Sequence, residues 1–432
     1  KESIEKMIQS TNNHDKVSID WGNIENFGKK SGSVKLMDAG TLAEKNLPTL
    51  RQFDNYGRRI DVIDYHPSYH ELMSHGIENG VCASGFKTST PGSHISRGIK
   101  KYFENQLESG HCCPLTMTAA VIPVLLRSAR SIKQLNSNDG MINDNLTWIQ
   151  EFINKIYTQQ YDPSDRPIEE KNGCTMGMSM TEKQGGSDVR SNTTVASPID
   201  SNITGLGASY QLVGHKWFTS APMCDGFLTL AKTPNSDLPS CFLVPRWLPK
   251  SAGSHRNTGF QVMRLKNKLA DRANASSEVE YHNAFGVMIG EEGKGVKTII
   301  EMVQATRWDC TLGSAGSARR ALQLAINHAN GRSAFGKHLI DQPLMQNVLA
   351  DLAIESEAST ITAMRMSAAF DAYYNQHPSL LNVQSNEEAQ EFFRIAVTIS
   401  KYYVTKRLPN FTYECMEAIG GNGFVEDWPL AR

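Results

Sequence analysis

No charge of one sign dominates this sequence: 44 Lys and Arg stand against 45 Asp and Glu, a formal net charge of −1. A chain built to grip phosphate backbones carries a marked basic excess, so these totals count against nucleic acid as a partner. Long hydrophobic runs are also missing. The longest apolar stretch, around Ala119–Leu126, is far short of a bilayer crossing, and no membrane span is expected. No basic-then-apolar leader follows Lys1, the pattern of a secretory signal. The first residue is not methionine, so the N-terminus reads as processed or truncated, and the compartment stays open between mitochondrial and cytoplasmic. The eight cysteines show no repeated CxxC spacing, which points away from zinc or a redox pair and towards free thiols in a reducing compartment.

What is present is enough apolar material, 40% of 432 residues, for two or three domains with their own cores. Residues 1–172 read as a helical N-terminal domain. Tyr69–Ile77 and Ile99–Leu107 carry apolar residues at helical spacing, Pro114–Leu126 is a buried-looking segment, and Asn136–Asn145 is a surface loop. In residues 173–295 the texture changes. Tyr210–Thr219, Phe227–Thr233 and Ser240–Leu248 are strand-like runs separated by Gly, Pro, Asn and Asp clusters, the pattern of a β-barrel or sandwich. In residues 296–432 the helical period returns. Ala318, Ala321, Leu322, Ala325, Ile326 and Ala329 form one apolar stripe. Met345, Val348, Leu349 and Leu352 begin a second, and Ala389, Phe392, Phe393, Ala396 and Tyr403 a third. Such stripes predict a helical bundle. The fold class is therefore α+β and multidomain.

Four segments could carry chemistry. Met178–Asp188 (MSMTEKQGGSD) combines Thr181, Ser187 and two adjacent glycines, which suits a phosphate or a polar ring edge but also an ordinary turn between strands. In His215–Ser220 (HKWFTS), Trp217 and Thr219 are two apart on a strand. They should therefore share a side, to stack on a planar heterocycle or to pack a barrel wall. Gly331–Lys337 (GRSAFGK) offers an arginine for a pyrophosphate and an aromatic to cover a base, or a helix-ending cation and a core ring. Ile419–Phe424 (IGGNGF) reads as a helix C-cap or as close backbone approach to a ligand. His66 and His70 have zinc spacing, but Pro67 marks a helix start and no third ligand follows, so no metal is assigned. His111–Cys113 reads as packing, and for His328 and His338, which flank the GRSAFGK motif, the sequence names no carboxylate as partner.

In this order, MTEKQGGSD, KWFTS, GRSAFGK and IGGNGF resemble the acyl-CoA dehydrogenase family. With KLADRANASSEVE and TRWDC, the wording is closest to the branch containing the bacterial alkylation-response protein AidB. The resemblance runs from about Arg51 to the end. It implies a helical N-domain, a middle β-barrel domain and a C-terminal four-helix bundle, usually in a homotetramer that is a dimer of dimers. It also implies FAD as cofactor, a fatty acyl-CoA as ligand and an electron acceptor protein. By motif match, Met178, Met180 and Thr181 would line the flavin ring, and Gly186 and Ser187 would approach its diphosphate. Trp217 and Phe218 would flank the ring, with Trp217 covering one face and Thr219 near N5. Arg332, Phe335, Glu417, Gly420 and Gly421 would reach a neighbouring subunit's FAD. Arg307 and Ser187 match the acyl-CoA side.

The family reaction removes an α-proton with a carboxylate while a β-hydride moves to the flavin. Such a base has to be desolvated and raised in pKa. The usual base lies in an aromatic-Glu-Gly segment after the GGNGF turn, and none occurs between Phe424 and Arg432. The alternative position, immediately before Arg307, is Thr306, and neither Glu301 nor Asp309 matches a family position. No catalytic residue is assigned. The expectation is a truncated dehydrogenase that forms trans-2-enoyl-CoA. The alternatives are a flavoprotein that sequesters acyl-CoA without turnover, an oxidase variant, and a nucleic-acid-associated alkylation-response protein.

Overall fold

A computed structural model describes residues 2–9, 17–135, 139–427 and 430. The chain opens with α1 (Glu2–Gln9), α2 (Trp21–Ser31) and α3 (Val34–Lys45), followed by a hairpin of β1 (Thr49–Phe53) and β2 (Arg59–Asp64). That hairpin was not expected in a helical region. Its strands are partly exposed and lack a clean apolar alternation, so the period-2 signal is weak. Four helices follow: α4 (Pro67–Glu78), α5 (Ser84–Lys87), α6 (Ser93–Glu104) and α7 (Cys112–Gln134). The region closes with α8 (Gly140–Tyr157).

The expected loop at Asn136–Asn145 is shorter than its composition implied. Residues 136–138 lie outside the described residues, and α8 already begins at Gly140 because the Asp139 carboxylate accepts the Ile142 N–H at 3.2 Å. An Asp that punctuates a loop on composition is here an N-cap. In α4, Pro67 sits at the first turn, where its missing N–H costs nothing, and His66 Nδ1 accepts the Ser68 N–H at 3.2 Å. His70 Nδ1 lies 2.7 Å from the Tyr161 hydroxyl. Both histidines of the zinc-like spacing thus have local structural partners. Helix α7 is, by length and composition alone, long and apolar enough to cross a bilayer. A count of consecutive apolar residues overlooks this, but 83% of its apolar window is buried within the protein, as in a core helix.

The middle strands are β3 (Met176–Ser179), β4 (Val195–Pro198), β5 (Ser209–Ser220), β6 (Gly226–Thr233), β7 (Ser236–Pro245), β8 (Phe260–Leu265) and β9 (Ser276–Met288). Seven strands run in the order β3-β5-β4-β6-β7-β9-β8, and β5 also pairs along most of β9 while β3 pairs with β6. These extra pairings close the sheet into a barrel. Leu212, Phe227, Phe242, Phe260, Val262, Val279 and Tyr281 fill it, all buried. One of the clusters expected to separate the strands, residues 233–239, tightens to a hairpin in which Thr233 faces Ser236, so Pro239 falls inside β7.

The last block holds α9 (Gly295–Gly331), a short hairpin of β10 (Ser333–Ala334) and β11 (Lys337–His338), α10 (Pro343–Tyr374) and α11 (Asn386–Ile419). Ala318, Ala321, Leu322, Ala325 and Ala329 of α9 pack with Leu349 and Leu352 of α10 and with Phe411 and Cys415 of α11. Full burial of a side chain such as Leu322 contributes about 1.5–3 kcal/mol. The first two apolar stripes are those read from the sequence. The third is rotated: Ala389, Phe393, Val397, Val404, Phe411 and Cys415 face inward, while Phe392, Ile395, Ile399 and Tyr402 stay exposed.

The chain divides into two compact units that interleave along the sequence. One comprises Lys1–Met37, Ser84–Ser109 and Arg307–Arg432, the other Asp38–Ala83 and Gly110–Thr306. In the first, Arg97 of α6 makes a bidentate pair with Asp309 of α9 (2.9 and 2.7 Å), both almost fully buried, with the guanidinium over Trp308. Trp308 Nε1 donates to Ser367 Oγ of α10 at 3.0 Å. The run TRWDC is therefore in large part a packing device.

Candidate functional site

The unit that contains the barrel brings two of the four motifs together. Strand β3 enters under the control of a buried pair: Lys171 Nζ meets Asp225 at 2.7 Å, and the same carboxylate accepts the Thr175 N–H at 2.8 Å. A Cβ on Gly177 would stand 2.5 Å from the Phe227 ring, so only glycine lets β3 lie this close to β6. Just beyond β3, the Trp217 N–H of β5 donates to Thr181 O at 2.8 Å. That bond joins the MTEKQGGSD and KWFTS segments directly.

Glu182 organises the loop between them. Its carboxylate is fully buried, 2.8 Å from Lys216 Nζ, and accepts the N–H and hydroxyl groups of Thr193 and Thr194 at 2.5–3.1 Å. Burial alone would raise its pKa. The Lys216 charge and these hydrogen bonds outweigh burial and hold it down at about 2. Lys216 also donates to Leu230 O at 2.8 Å. The loop is pinned again where the Lys183 N–H meets His215 Nε2 at 2.9 Å. Sequence reasoning overlooked Glu182 and Lys216. A Glu and a Lys within two short motifs, both in an otherwise barrel-like pattern, were the available signal.

Around this clasp, the groups expected to meet a ligand are unspent. Thr181 Oγ1 and Ser187 Oγ have no hydrogen-bond partner among the described residues, and Gly186 and Ser187 are exposed. Met178, Met180 and Trp217 are half-buried, and Phe218 is 45% exposed. A polar loop next to an accessible indole fits a planar heterocycle with a phosphate tail.

One expectation is corrected here. Trp217 and Thr219 do not share a side of β5. Lys216 pairs with Val279 and Thr219 with Ser277, so three steps on β5 answer two on β9, and the strand carries a bulge. Facing residues point the same way, which puts Thr219 on the side of Lys216 and opposite Trp217. Thr219 is fully buried, its Oγ1 2.5 Å from Ser179 Oγ.

The other unit carries the remaining candidates. Arg307, half-buried on α9, donates from Nη1 to Thr398 Oγ1 of α11 at 3.2 Å. Twenty-five residues later comes Arg332, exposed and without an ion pair among the described residues. At 1.5 Å per helical residue the two arginines stand about 37 Å apart. Phe335 is 98% exposed at the tip of the β10–β11 hairpin, with φ +53. A bulky residue in left-handed backbone, with its ring in water, gains nothing from the fold of this unit. Leu339 and Ile340, just after the hairpin, pack on the cluster that includes Ala418 and Ile419, so GRSAFGK and IGGNGF grow from one core. Gly420 caps α11 by donating to Glu417 O and Met416 O, at φ 76 and ψ −148, a conformation open to glycine alone. A Cβ on Gly420 or Gly421 would meet nothing within 4 Å among the described residues, and Glu417 is exposed. The C-cap reading of IGGNGF thus holds, and the surface above it is open to an approaching ligand.

The acidic residues near Arg307 are committed elsewhere. Arg97 holds Asp309. In the barrel's unit, Glu301 accepts from Arg127 Nη2 at 2.7 Å, its carboxyl raised by burial and drawn back by that cation. Thr306 Oγ1 turns back to Val303 O at 2.9 Å.

Comparisons with known proteins agree with this architecture. Residues 3–163 match the family described as "Adaptive response protein AidB N-terminal domain", 177–284 the "Acyl-CoA dehydrogenase, middle domain", and 293–432 the "Acyl-CoA dehydrogenase, C-terminal domain". AidB of Escherichia coli (strain K12) is 36% identical over 410 residues, covering 95% of this chain and 69% of AidB. Acyl-CoA dehydrogenase family member 11 of Caenorhabditis elegans is 29% identical over 414 residues, and the chain spans only 61% of that protein. The solved structure of Caenorhabditis elegans ACDH-11 in complex with C11-CoA superimposes with a TM-score of 0.80 at 25% identity, covering 99% of this chain and 68% of that one. The chain belongs to the acyl-CoA dehydrogenase family, in the branch that contains AidB.

Proposed function

We propose that this chain is the flavin- and acyl-CoA-binding part of an FAD-dependent oxidoreductase that converts a fatty acyl-CoA to its trans-2-enoyl-CoA. The observation that carries the reading is the Thr181–Trp217 junction, where a half-buried indole adjoins the loop that carries the unspent hydroxyls of Thr181 and Ser187. Family membership and the acyl-CoA-bound relative support it. FAD, when bound, supplies the two-electron acceptor for the Cα–Cβ bond of the thioester. In this reading Thr181 hydrogen-bonds the pyrimidine edge, Trp217 covers one ring face, and Ser187 with the Gly186 backbone receives the diphosphate. Thr219 lends no hydroxyl in this reading, since its Oγ1 is held by Ser179 Oγ.

Arg332, Phe335, Gly420 and Gly421 serve a second copy of the cofactor, in a neighbouring subunit of a homo-oligomer. A span of about 37 Å between Arg307 and Arg332 is too long for one compact site. The exposed Phe335 ring then covers an adenine, and Arg332 pairs with a diphosphate.

A second reading is sequestration of acyl-CoA without turnover. It is favoured by Thr306 at one family base position and by the ion pairs that hold Asp309 and Glu301. Anaerobic addition of an acyl-CoA to the FAD-loaded full-length protein separates the two. Bleaching of the flavin band supports oxidation. Saturable binding without bleaching supports sequestration, and oxygen consumption with peroxide release marks an oxidase.

A further inference from the structure

Three cations gather at the indole of Trp217. Lys266 Nζ lies 3.1 Å from the ring centroid and 4.8 Å from that of Phe218, while Lys183 Nζ and the Arg264 guanidinium stand 5.6 and 5.9 Å from Trp217. One carboxylate answers two of them: Glu278 is 2.7 Å from Lys266 and 2.6 Å from Arg264. Lys183 has no ion pair among the described residues. The cluster therefore keeps a positive excess against an aromatic face. Lys266 is not a stray surface lysine, since its side chain is only 9% exposed. Its N–H bonds Ser276 O, and the loop that follows is tied down by Lys268, whose ammonium donates to Asp271 O and Asn274 O at 2.7 and 2.8 Å. The KLADRANAS segment thus builds a fixed mount for an ammonium on the indole.

An ammonium over an indole is held by the ring's negative face, and partial burial strengthens that attraction. Any ring that settles at Trp217 also feels the excess charge, in a site where water screens it less than in bulk. A flavin gains electron density on reduction, with negative charge centred near N1, so fixed positive charge beside it favours the reduced form. We propose that Lys266, seconded by Lys183 and Arg264, is a positioning residue that raises the reduction potential of the flavin held at Trp217. This rests on the flavin reading of the site given above.

The test is spectroelectrochemical titration of the FAD-loaded chain for wild type, Lys266→Met and Lys266→Arg. Lys266→Met shifts the midpoint potential to more negative values, and Lys266→Arg stays near wild type. Lys183→Met, at the more distant cation, gives a smaller shift of the same sign and serves if Lys266→Met holds no FAD. In the flavin-free chain, Lys266→Met alters tryptophan emission, and the change disappears in a Trp217→Phe background. A Lys266→Met protein with full FAD and an unshifted potential overturns the proposal. Flavin-free emission that ignores Lys266→Met also overturns it. A wild-type chain that takes up no FAD overturns the site reading itself, a result easily told from the other two.

Discussion

At the scale of single residues, the loop of the candidate site is held by charges shut off from solvent. Glu182 and Lys216 are the clearest case. Glu182→Gln leaves an ammonium buried without its counter-charge and should cost about 3–5 kcal/mol, whereas replacing both partners by well-packed apolar residues should recover much of that loss. Urea melts of the single and double variants check this. The Glu182 carboxyl has a pKa of about 2 when folded against its ordinary 4.5, so its contribution is complete above pH 4.5 and is lost as the pH falls through about 2. His94 tests a different kind of burial. Its ring is fully enclosed, edge-on to Phe86, Phe370 and Tyr374, and neither nitrogen has a hydrogen-bond partner among the described residues. Burial, then the nearby Arg97 charge, holds its pKa well below 6.5. The unfolded chain therefore binds the extra proton first, and stability should fall below pH 6.5 by up to about 1.4 kcal/mol per pH unit. Asp371, which caps α6 through the N–H groups of Gly92, His94 and Ile95, acts in the opposite sense. Burial lifts it to about 6, so its contribution is complete below 3.8 and fades as the pH rises through 6. Comparing His94→Phe with wild type at pH 7.5 and 5 isolates the histidine; an equal gap at both pH values would refute its role.

At the scale of elements, the β10–β11 hairpin and the end of α11 look costly for a single chain. Phe335 sits in left-handed backbone that asparagine adopts with less strain. Phe335→Asn is expected to leave thermal stability unchanged or raise it by about 1 kcal/mol, while FAD retention on a desalting column falls. Loss of both would mean that the ring is structural. Gly420→Ala meets no steric obstacle among the described residues, so its expected cost of about 1–3 kcal/mol comes from φ and ψ. The three-against-two bulge in β5 belongs to this scale too. Period-2 alternation put Trp217 and Thr219 together, yet one inserted residue reversed their relation. A bulge is defined by the partner strand, β9, which begins 56 residues after Ser220, so β5 read alone cannot reveal it.

For the whole molecule, the proposed reading in which Arg332 serves a neighbouring subunit's FAD makes oligomerisation part of cofactor binding. Arg332→Glu should weaken FAD retention, and dilution of the wild type should release FAD in step with dissociation to smaller species. Size-exclusion chromatography followed at the flavin band reads both. Full FAD occupancy in Arg332→Glu, or in a monomeric fraction, would contradict the shared site. The exposed stripe of Phe392, Ile395, Ile399 and Tyr402 on α11 is too apolar to be explained by the fold of its own unit.

Sequence by itself determined the order helical, barrel, bundle, the first two stripes of the bundle and the position of all four motifs, because those follow from local periodicity and from short ordered words. It also pointed to the family. Only the tertiary structure decided what depends on residues remote in the chain. Arg97 and Asp309 are 212 residues apart, and their pairing commits Asp309 to the buried core. The Glu182–Lys216 clasp, the cations on Trp217 and the side on which Thr219 points were likewise settled by strand pairing and burial. A one-dimensional pattern records which side chains are present. It does not record which of them share a low-dielectric interior, and there the strength of charge and hydrogen bonding is set.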